Sequence, residues 1–334
     1  MAVTMNDVAR AAGVSLKTVS NVINNYEFIR PATKQRVLDA IDELGYEANL
    51  TARSLRSGKT SMLGLVLADL SIPYYAELAS DIMKAAWARG YRVLVEQSGN
   101  EAHHERAALQ GQFRTLTDGL LFIPLALDAD QIIDAAGNKP LVLLGEFVQD
   151  PRLDMVLIKN HEAAAAVTTH LLSGGRRRIA VLGAHDGDTT GSNGLRLSGY
   201  RAALAAAGLA YDPALVFACD WRRDGGADGI ARLLDSGVEF DAVFGLNDAV
   251  ALGALHELLV RGKKVPDEIA VAGFDDIDEA RFSSPSLTTV APGRAEIAER
   301  AVELLIDRIE SKGSVRAVRQ PEAAYALRVR QSAP

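Results

Sequence analysis

Beyond residue 62 the chain keeps returning to one alternation: a short, almost wholly apolar run, then a longer stretch with helical spacing. Apolar runs at 62–68, 93–97, 120–123, 141–144 and 154–158 are interleaved with helical stretches at 75–89 and 101–114. The pattern restarts with 161–173, 179–182, 195–207, 242–245, 248–261 and 269–273. A strand that is apolar along its whole length buries both faces, and two parallel neighbours need a crossover, usually a helix. The alternation therefore predicts an α/β fold with parallel sheets covered by helices. Two series predict two lobes, and ligands of such folds collect at the carboxyl ends of the strands, between the lobes.

The first 46 residues carry no such alternation. Met5, Val8, Ala9 and Ala12 repeat at helical spacing until Gly13, and Ser15 is placed to cap a second helix over 16–23 with Val19, Val22 and Ile23 inward. A third helix opens on Pro31, turns Val37, Leu38, Ile41 and Leu44 to one side, and stops at Gly45. Two short helices joined by a tight glycine turn make a helix-turn-helix. A plain three-helix bundle is the alternative, but Leu16, Lys17, Thr18, Ser20 and Asn21 face away from the bundle's own core. Side chains so placed reach base edges and phosphates in a major groove. Charge agrees: residues 1–60 hold eight Lys or Arg against six acids, whereas the rest carries −9 of the net −7. A basic head on an acidic body offers DNA one end only.

Between head and body lie residues 47–61. Asn49, Ala52 (or Arg53) and Leu55 (or Arg56) recur every three or four positions, which predicts one short hinge helix before a 58–61 linker. A helix of about ten residues does not meet its nucleation cost alone in water. Something outside the segment has to fold it, and Leu55 has few neighbours in sequence to bury it.

The head carries a resemblance. Asn6-Asp7-Val8-Ala9-Arg10-Ala11-Ala12-Gly13-Val14-Ser15-Leu16-Lys17-Thr18-Val19-Ser20, then Ala32-Thr33-Lys34-Gln35-Arg36-Val37 and Leu44-Gly45-Tyr46, resemble the LacI/GalR family of bacterial transcription regulators. The resemblance implies that Leu16, Lys17 and Asn21 read bases of a palindromic double-stranded operator. It implies that Thr4, Ser15, Thr18, Ser20, Asn24 and Thr33 hold the DNA backbone, with Tyr46 and Asn49 near the hinge contacts. Paired hinge helices of a homodimer would enter the minor groove, Ala52 on the inserted face, Leu55 wedging a base step, and Arg53 and Arg56 beside phosphates. Many members carry arginine where this chain has Asn21, and asparagine suits adenine rather than guanine.

The body resembles the same family at Arg196-Leu197-Ser198-Gly199-Tyr200, Gly245-Leu246-Asn247-Asp248-Ala249 and Val271-Ala272-Gly273-Phe274-Asp275-Asp276. That implies a two-lobed body like periplasmic sugar-binding proteins, spanning 62–330, with crossings near 160, 290 and 320. Segments 287–290 and 297–311 are expected to complete the first lobe. Arg196 is expected to open a helix, where the dipole disfavours a cation and a partner is required. Asp275 and Asn247 each follow a strand, and the family carries all three as effector ligands, with Trp221 as a lining ring and Tyr74 approaching from the first lobe. The alternatives are that Asp275 caps a helix near Ile277, Asn247 closes a turn and Trp221 is core. Asp248 reads as a cap. The family usually has an acid where this chain has Lys159, so Lys159 is either an exposed lysine or a sign of an anionic effector.

Other chemistry finds little footing. Glu101, His103, His104 and Glu105 share a helical turn, and His185-Asp186-Gly187-Asp188 resembles a metal-hydrolase loop, yet neither has a second ligand cluster. Gly174-Gly175-Arg176-Arg177-Arg178 precedes a strand and so is no phosphate cradle. Cys219, the single cysteine, reads as core filling. No catalytic residue, metal or cofactor is expected. The opening residues show no secretory pattern and no run is long enough to span a membrane, so a cytoplasmic protein is expected. The absence of a heptad segment before Pro334 points to a dimer without a helical tail. The reading is a repressor controlled by a small-molecule effector, a sugar or sugar derivative, with a purine-like or anionic effector, or a solute-binding protein, as alternatives. Leu55→Ala is expected to weaken binding to a specific operator far more than to random duplex in titrations at matched salt; equal losses would make Leu55 an ordinary packing residue.

Overall fold

The computed structural model describes residues 3–23, 26, 28–46, 59–311 and 317–334. Asn24, Asn49, Ala52, Leu55 and Arg56 lie outside the described residues. The chain divides into two compact units, Met1–Thr60 and Ser61–Pro334.

In the first unit α1 (Met5–Ala12), α2 (Leu16–Ile23) and α3 (Pro31–Leu44) pack around Val8, Val19, Val22 and Val37. The hydroxyl of Thr4 accepts the Asp7 N–H, and the Asp7 carboxylate accepts the Thr4 N–H at 3.0 Å, closing a capping box. Gly13 stops α1 at φ 62°, a left-handed conformation that costs glycine least. The Ser15 Oγ accepts the Thr18 N–H at 3.1 Å and caps α2. One expectation fails: Leu38 is 38% exposed, and Ala40 is buried instead. Val37, Ala40, Ile41 and Leu44 form the i, i+3, i+4, i+7 stripe, and Leu38 lies a third of a turn off it.

Among its described residues the second unit holds two six-stranded sheets. Strands β1 (Met62–Leu67), β2 (Arg92–Gln97), β3 (Gly119–Phe122), β4 (Leu141–Leu144), β5 (Met155–Ile158) and β11 (Glu322–Ala323) run in the order β11-β5-β4-β3-β1-β2. The other sheet runs β12-β10-β9-β8-β6-β7, built from β6 (Ile179–Leu182), β7 (Val216–Phe217), β8 (Ala242–Gly245), β9 (Ala270–Phe274), β10 (Thr288–Ala291) and β12 (Ala326–Arg328). Every pairing is parallel except β10 with β12. Both sheets reverse strand order beside their first strand, the point at which loops splay and a crevice opens.

Each sheet buries an apolar layer on both faces. Helices Pro73–Ala88 and Arg294–Glu310 cover one face of the first, through Ile82, Val302 and Leu305, while Ala102–Gln110 and Ala129–Ala136 cover the other through Leu109 and Ile132. In the second lobe the pairs are Asn160–Ser173 with Gly191–Ala206, and Arg223–Asp235 with Asp248–Val260. The stretch expected as one helix over 101–114 breaks at Gly111, which is extended, with Gln112–Leu116 resuming beyond it. Strand 288–291 belongs to the second lobe rather than the first. It pairs with β9, and the Thr288 hydroxyl and N–H are tied to the carboxyl-terminal residues Ala333 and Ser332. The chain thus changes sheet between β5 and Asn160, between β10 and Arg294, and between β11 and β12.

Helices of the second lobe touch backbone to backbone. A Cβ on Gly199 would stand 2.1 Å from the His161 carbonyl, and one on Gly253 1.9 Å from that of Arg223. Gly199→Ala is therefore expected to lower the unfolding free energy by about 1–3 kcal/mol, the usual range for overpacking, as a fall in the urea midpoint; an unchanged midpoint would mean that these helices part without cost.

Candidate functional site

A cleft of about 530 Å³ lies between the two sheets of the body, at the carboxyl ends of their strands. The first lobe contributes Asp69, Tyr74 and Tyr75 after β1 and Glu146 and Phe147 after β4. The second contributes Asn193, Arg196, Trp221, Asn247 and Asp275. All five residues expected to face an effector, Tyr74, Arg196, Trp221, Asn247 and Asp275, line this one cavity.

Arg196 lines it and is 3% exposed. It does not open its helix, which begins at Gly191; Arg196 sits in the second turn, so its need for partners comes from burial rather than from the dipole. Its Nε donates to the Asn160 Oδ1 at 2.7 Å and its Nη1 to the Leu246 carbonyl. Its Nη2 lies 3.7 Å from the Asp275 carboxylate, and its plane stacks 3.5 Å over the Phe274 ring. A planar guanidinium suits this combination of fork and stack, which an ammonium would not satisfy. Asp275 is delivered by a backbone turn at φ 119°, left-handed for a residue other than glycine and held by its own N–H to the Val290 carbonyl at 2.8 Å.

Asp275 does not cap the Ile277 region: that N–H goes to the Asp248 carboxylate at 2.9 Å, and the Thr289 hydroxyl donates to the same carboxylate at 2.5 Å. Asp248, wholly buried, is therefore a tie for the 275–277 turn rather than the cap of its own helix. Asn247 is that cap, its Oδ1 accepting the Val250 N–H at 2.8 Å and its Nδ2 donating to the Trp221 carbonyl at 3.1 Å. Asn247 thus closes a turn and lines the cleft at once. Trp221 is half-buried, not core, and spends its indole N–H on the Gly183 carbonyl at 2.8 Å. The Tyr74 ring stands edge to face with Tyr75, and burial raises the Tyr74 hydroxyl far above the ordinary phenol range.

Several residues depart from expectation. Glu146, unremarked in the sequence, is buried in the cleft wall and accepts the Ile158 N–H and the Asn160 amide. Its one signal was its place directly beyond an apolar run, at Gly145. Asp69 pairs with Arg222 from the opposite lobe, and both line the cavity. Cys219 also lines it, half-buried, with burial raising the thiol to about 11, so it is not simple core filling. Lys159 lies outside the lining, 3.4 Å from Glu322. Glu105 is buried and accepts the N–H groups of Leu125, Ala126 and Leu127, a loop tie that leaves its carboxylate committed. Asp186 and Asp188 hold Arg201 and Asn193 respectively.

In the head, Leu16 and Lys17 are exposed and Thr18, Ser20, Asn21 and Thr33 half-exposed on described helices. Thr4, Ser15 and Thr18 already serve in helix caps, which fixes their hydroxyls at the starts of α1 and α2. Tyr46 packs against the head's core.

Two comparisons of sequence and one of structure bear on this geometry. The family model described as bacterial regulatory proteins, lacI family, matches residues 4–49, and a periplasmic binding protein-like domain matches 168–333. The HTH-type transcriptional repressor PurR of Mannheimia succiniciproducens is 31% identical, over 94% of this chain and 94% of that protein. The ribose operon repressor of Escherichia coli K12 is 35% identical, over 92% of this chain and 93% of that protein. The structure of a transcriptional regulator CelR–cellobiose complex superposes with a TM-score of 0.73 at 31% identity, covering 99% of each chain.

Burial raises Asp275 to about 7, against the attraction of Arg196 and Arg294, and raises Glu146 to about 7, against the Ile158 N–H, Arg196 and Asn160. A carboxyl whose folded pKa exceeds its unfolded one binds its proton more tightly when folded. Its contribution to stability is therefore complete below the unfolded value and is lost as pH rises through the folded one. Between about pH 5 and pH 8 the unfolding free energy is expected to fall with rising pH, and Asp275→Asn to flatten that fall; denaturant titrations at several pH values giving parallel curves would show that Asp275 is ionised throughout.

Proposed function

Since this chain belongs to the lacI family of bacterial regulatory proteins, we propose that it is a sequence-specific repressor, binding a palindromic operator as a homodimer in the cytoplasm and controlled by a neutral sugar held between its lobes. The relatives it matches are transcription regulators rather than enzymes. In the head, Leu16, Lys17 and Asn21 would meet base edges, while Thr4, Ser15, Thr18, Ser20 and Thr33 anchor the backbone around them.

The observation that carries the effector reading is the state of the cleft's cations. Arg196 is committed to Asp275 and Arg222 to Asp69, and Lys159 lies elsewhere. An anionic effector would face the carboxyl groups of Asp69, Glu146, Asp220 and Asp275 with the charge of both arginines already balanced. A polyol has hydroxyls that donate to carboxylates and accept from arginine, and its apolar face suits the rings of Tyr74, Phe147 and Trp221. The names of relatives that handle ribose and cellobiose support a sugar; that of PurR keeps a purine as the second reading.

Control then follows from differential binding. A ligand gripping both lobes favours the closed arrangement only by as much as it binds that arrangement better. The hinge segment at 47–61, too short to be helical alone, would respond to small changes of this kind. In a thermal-shift panel of D-ribose, cellobiose, sugar acids and purines, a neutral sugar is expected to raise the melting temperature. Asp275→Ala is expected to abolish that shift while leaving salt-dependent DNA binding intact. A shift retained by the variant, or produced by sugar acids alone, would sink the assignment.

A further inference from the structure

Asn160 stands at the first crossing between the lobes, as the first residue of helix Asn160–Ser173, and is 1% exposed. It is not among the residues that line the cleft. Its amide has one possible orientation. The Arg196 Nε is a donor only, so the atom 2.7 Å from it is the Asn160 Oδ1, and the Asn160 Nδ2 then faces the Glu146 carboxylate. Glu146 takes the Ile158 N–H with its other oxygen. A polar chain therefore runs Arg196 to Asn160 to Glu146, every donor pointing toward the first lobe, with its far end on the loop after β4. Such a chain is stiff because each bond in a low-dielectric interior polarises the next, and a break leaves a buried group unsatisfied.

We propose that Asn160 and Glu146 are positioning residues for effector recognition: the Asn160 amide ties the aim of Arg196, in the second lobe, to Glu146, in the first. The inference rests on the cleft being the effector site, with Arg196 as a ligand. It adds that the guanidinium keeps its Nη2 beside Asp275 at the cleft only while this relay holds its Nε from behind. Arg196 is then a group whose direction depends on both lobes at once, although its own helix belongs to one.

The relay has a reciprocal form. In Asn160→Asp two carboxylates meet and the donor to Glu146 is lost. Adding Glu146→Gln restores every partner: the introduced amide nitrogen donates to the new carboxylate, its oxygen accepts the Ile158 N–H, and Arg196 keeps an acceptor. The chain has two tryptophans, so Trp87→Phe leaves Trp221, whose ring lies 5.4 Å from the Arg196 guanidinium, as a fluorescent reporter that needs no ligand. In that background Asn160→Asp is expected to shift Trp221 emission and weaken binding of cellobiose or D-ribose, whichever the parent binds, by about tenfold or more. The double variant is expected to restore the emission and to return affinity to within about threefold of the parent. No change in the single variant, or a double variant no better than the single, overturns the proposal. So does a double variant that regains thermal stability but not emission and affinity, since that outcome leaves only packing. If neither sugar binds the parent, the sugar reading falls and Trp221 emission alone decides the relay.

Discussion

A guanidinium buried between two lobes is the constraint around which the body of this protein is arranged. Arg196 cannot lose its charge, and leaving it unpaired in the interior would cost several kcal/mol. Its partners come from separated parts of the chain: a carboxylate on a left-handed turn after β9, a carbonyl at the end of β8, an amide at the first lobe crossing and an aromatic face beneath it. The strain at Asp275 makes sense in this light. An ordinary extended exit from β9 would not deliver the same carboxylate, and Asp248 with Thr289 pins the turn that does.

Topology supplies the rest of the arrangement. Both sheets have the same strand order, each reversing beside its first strand, so the loops that follow β1, β3 and β4 in one lobe oppose those that follow β6, β8 and β9 in the other. Short strands buried on both faces leave these loops as the places where polar side chains can stand without breaking the core. The lobes also meet outside the polar centre, where Arg222 reaches Asp69 and the Asp278 N–H reaches Glu77 at 2.9 Å. Parting the lobes exposes all of these groups to water together.

What could be read in the sequence was what periodicity and local chemistry encode. The alternation beyond residue 62 was legible because strands covered on both sides are uniformly apolar, and the head because its caps and glycine stop are local. Five residues placed in the cleft by strand-end position and family likeness do line it. Glu146 was not legible: a carboxylate after an apolar run looks like any loop acid, and only the folded chain buries it beside Asn160. Helix Arg223–Asp235 was hidden by its arginines, aspartates and glycines, and helix Gly191–Ala206 began a full turn before its apolar stripe did. The lobe of strand 288–291 is not legible in sequence because partner choice is a long-range matter, decided by β9 and the chain's end. Lys159 departs from family habit, yet its charge is answered by Glu322 on the neighbouring strand.

Among the described residues the three passages between lobes leave from neighbours and arrive at neighbours: β11 lies beside β5 in one sheet, and β12 beside β10 in the other. Three short ligaments side by side behave as a leaf flexure. They bend readily about the line joining them and resist twist and shear, because either would stretch the outer ligament against the inner one. A body hung on such a flexure would have one soft coordinate. Groups of quite different shape held by both lobes would then be equivalent if they set the same angle between them.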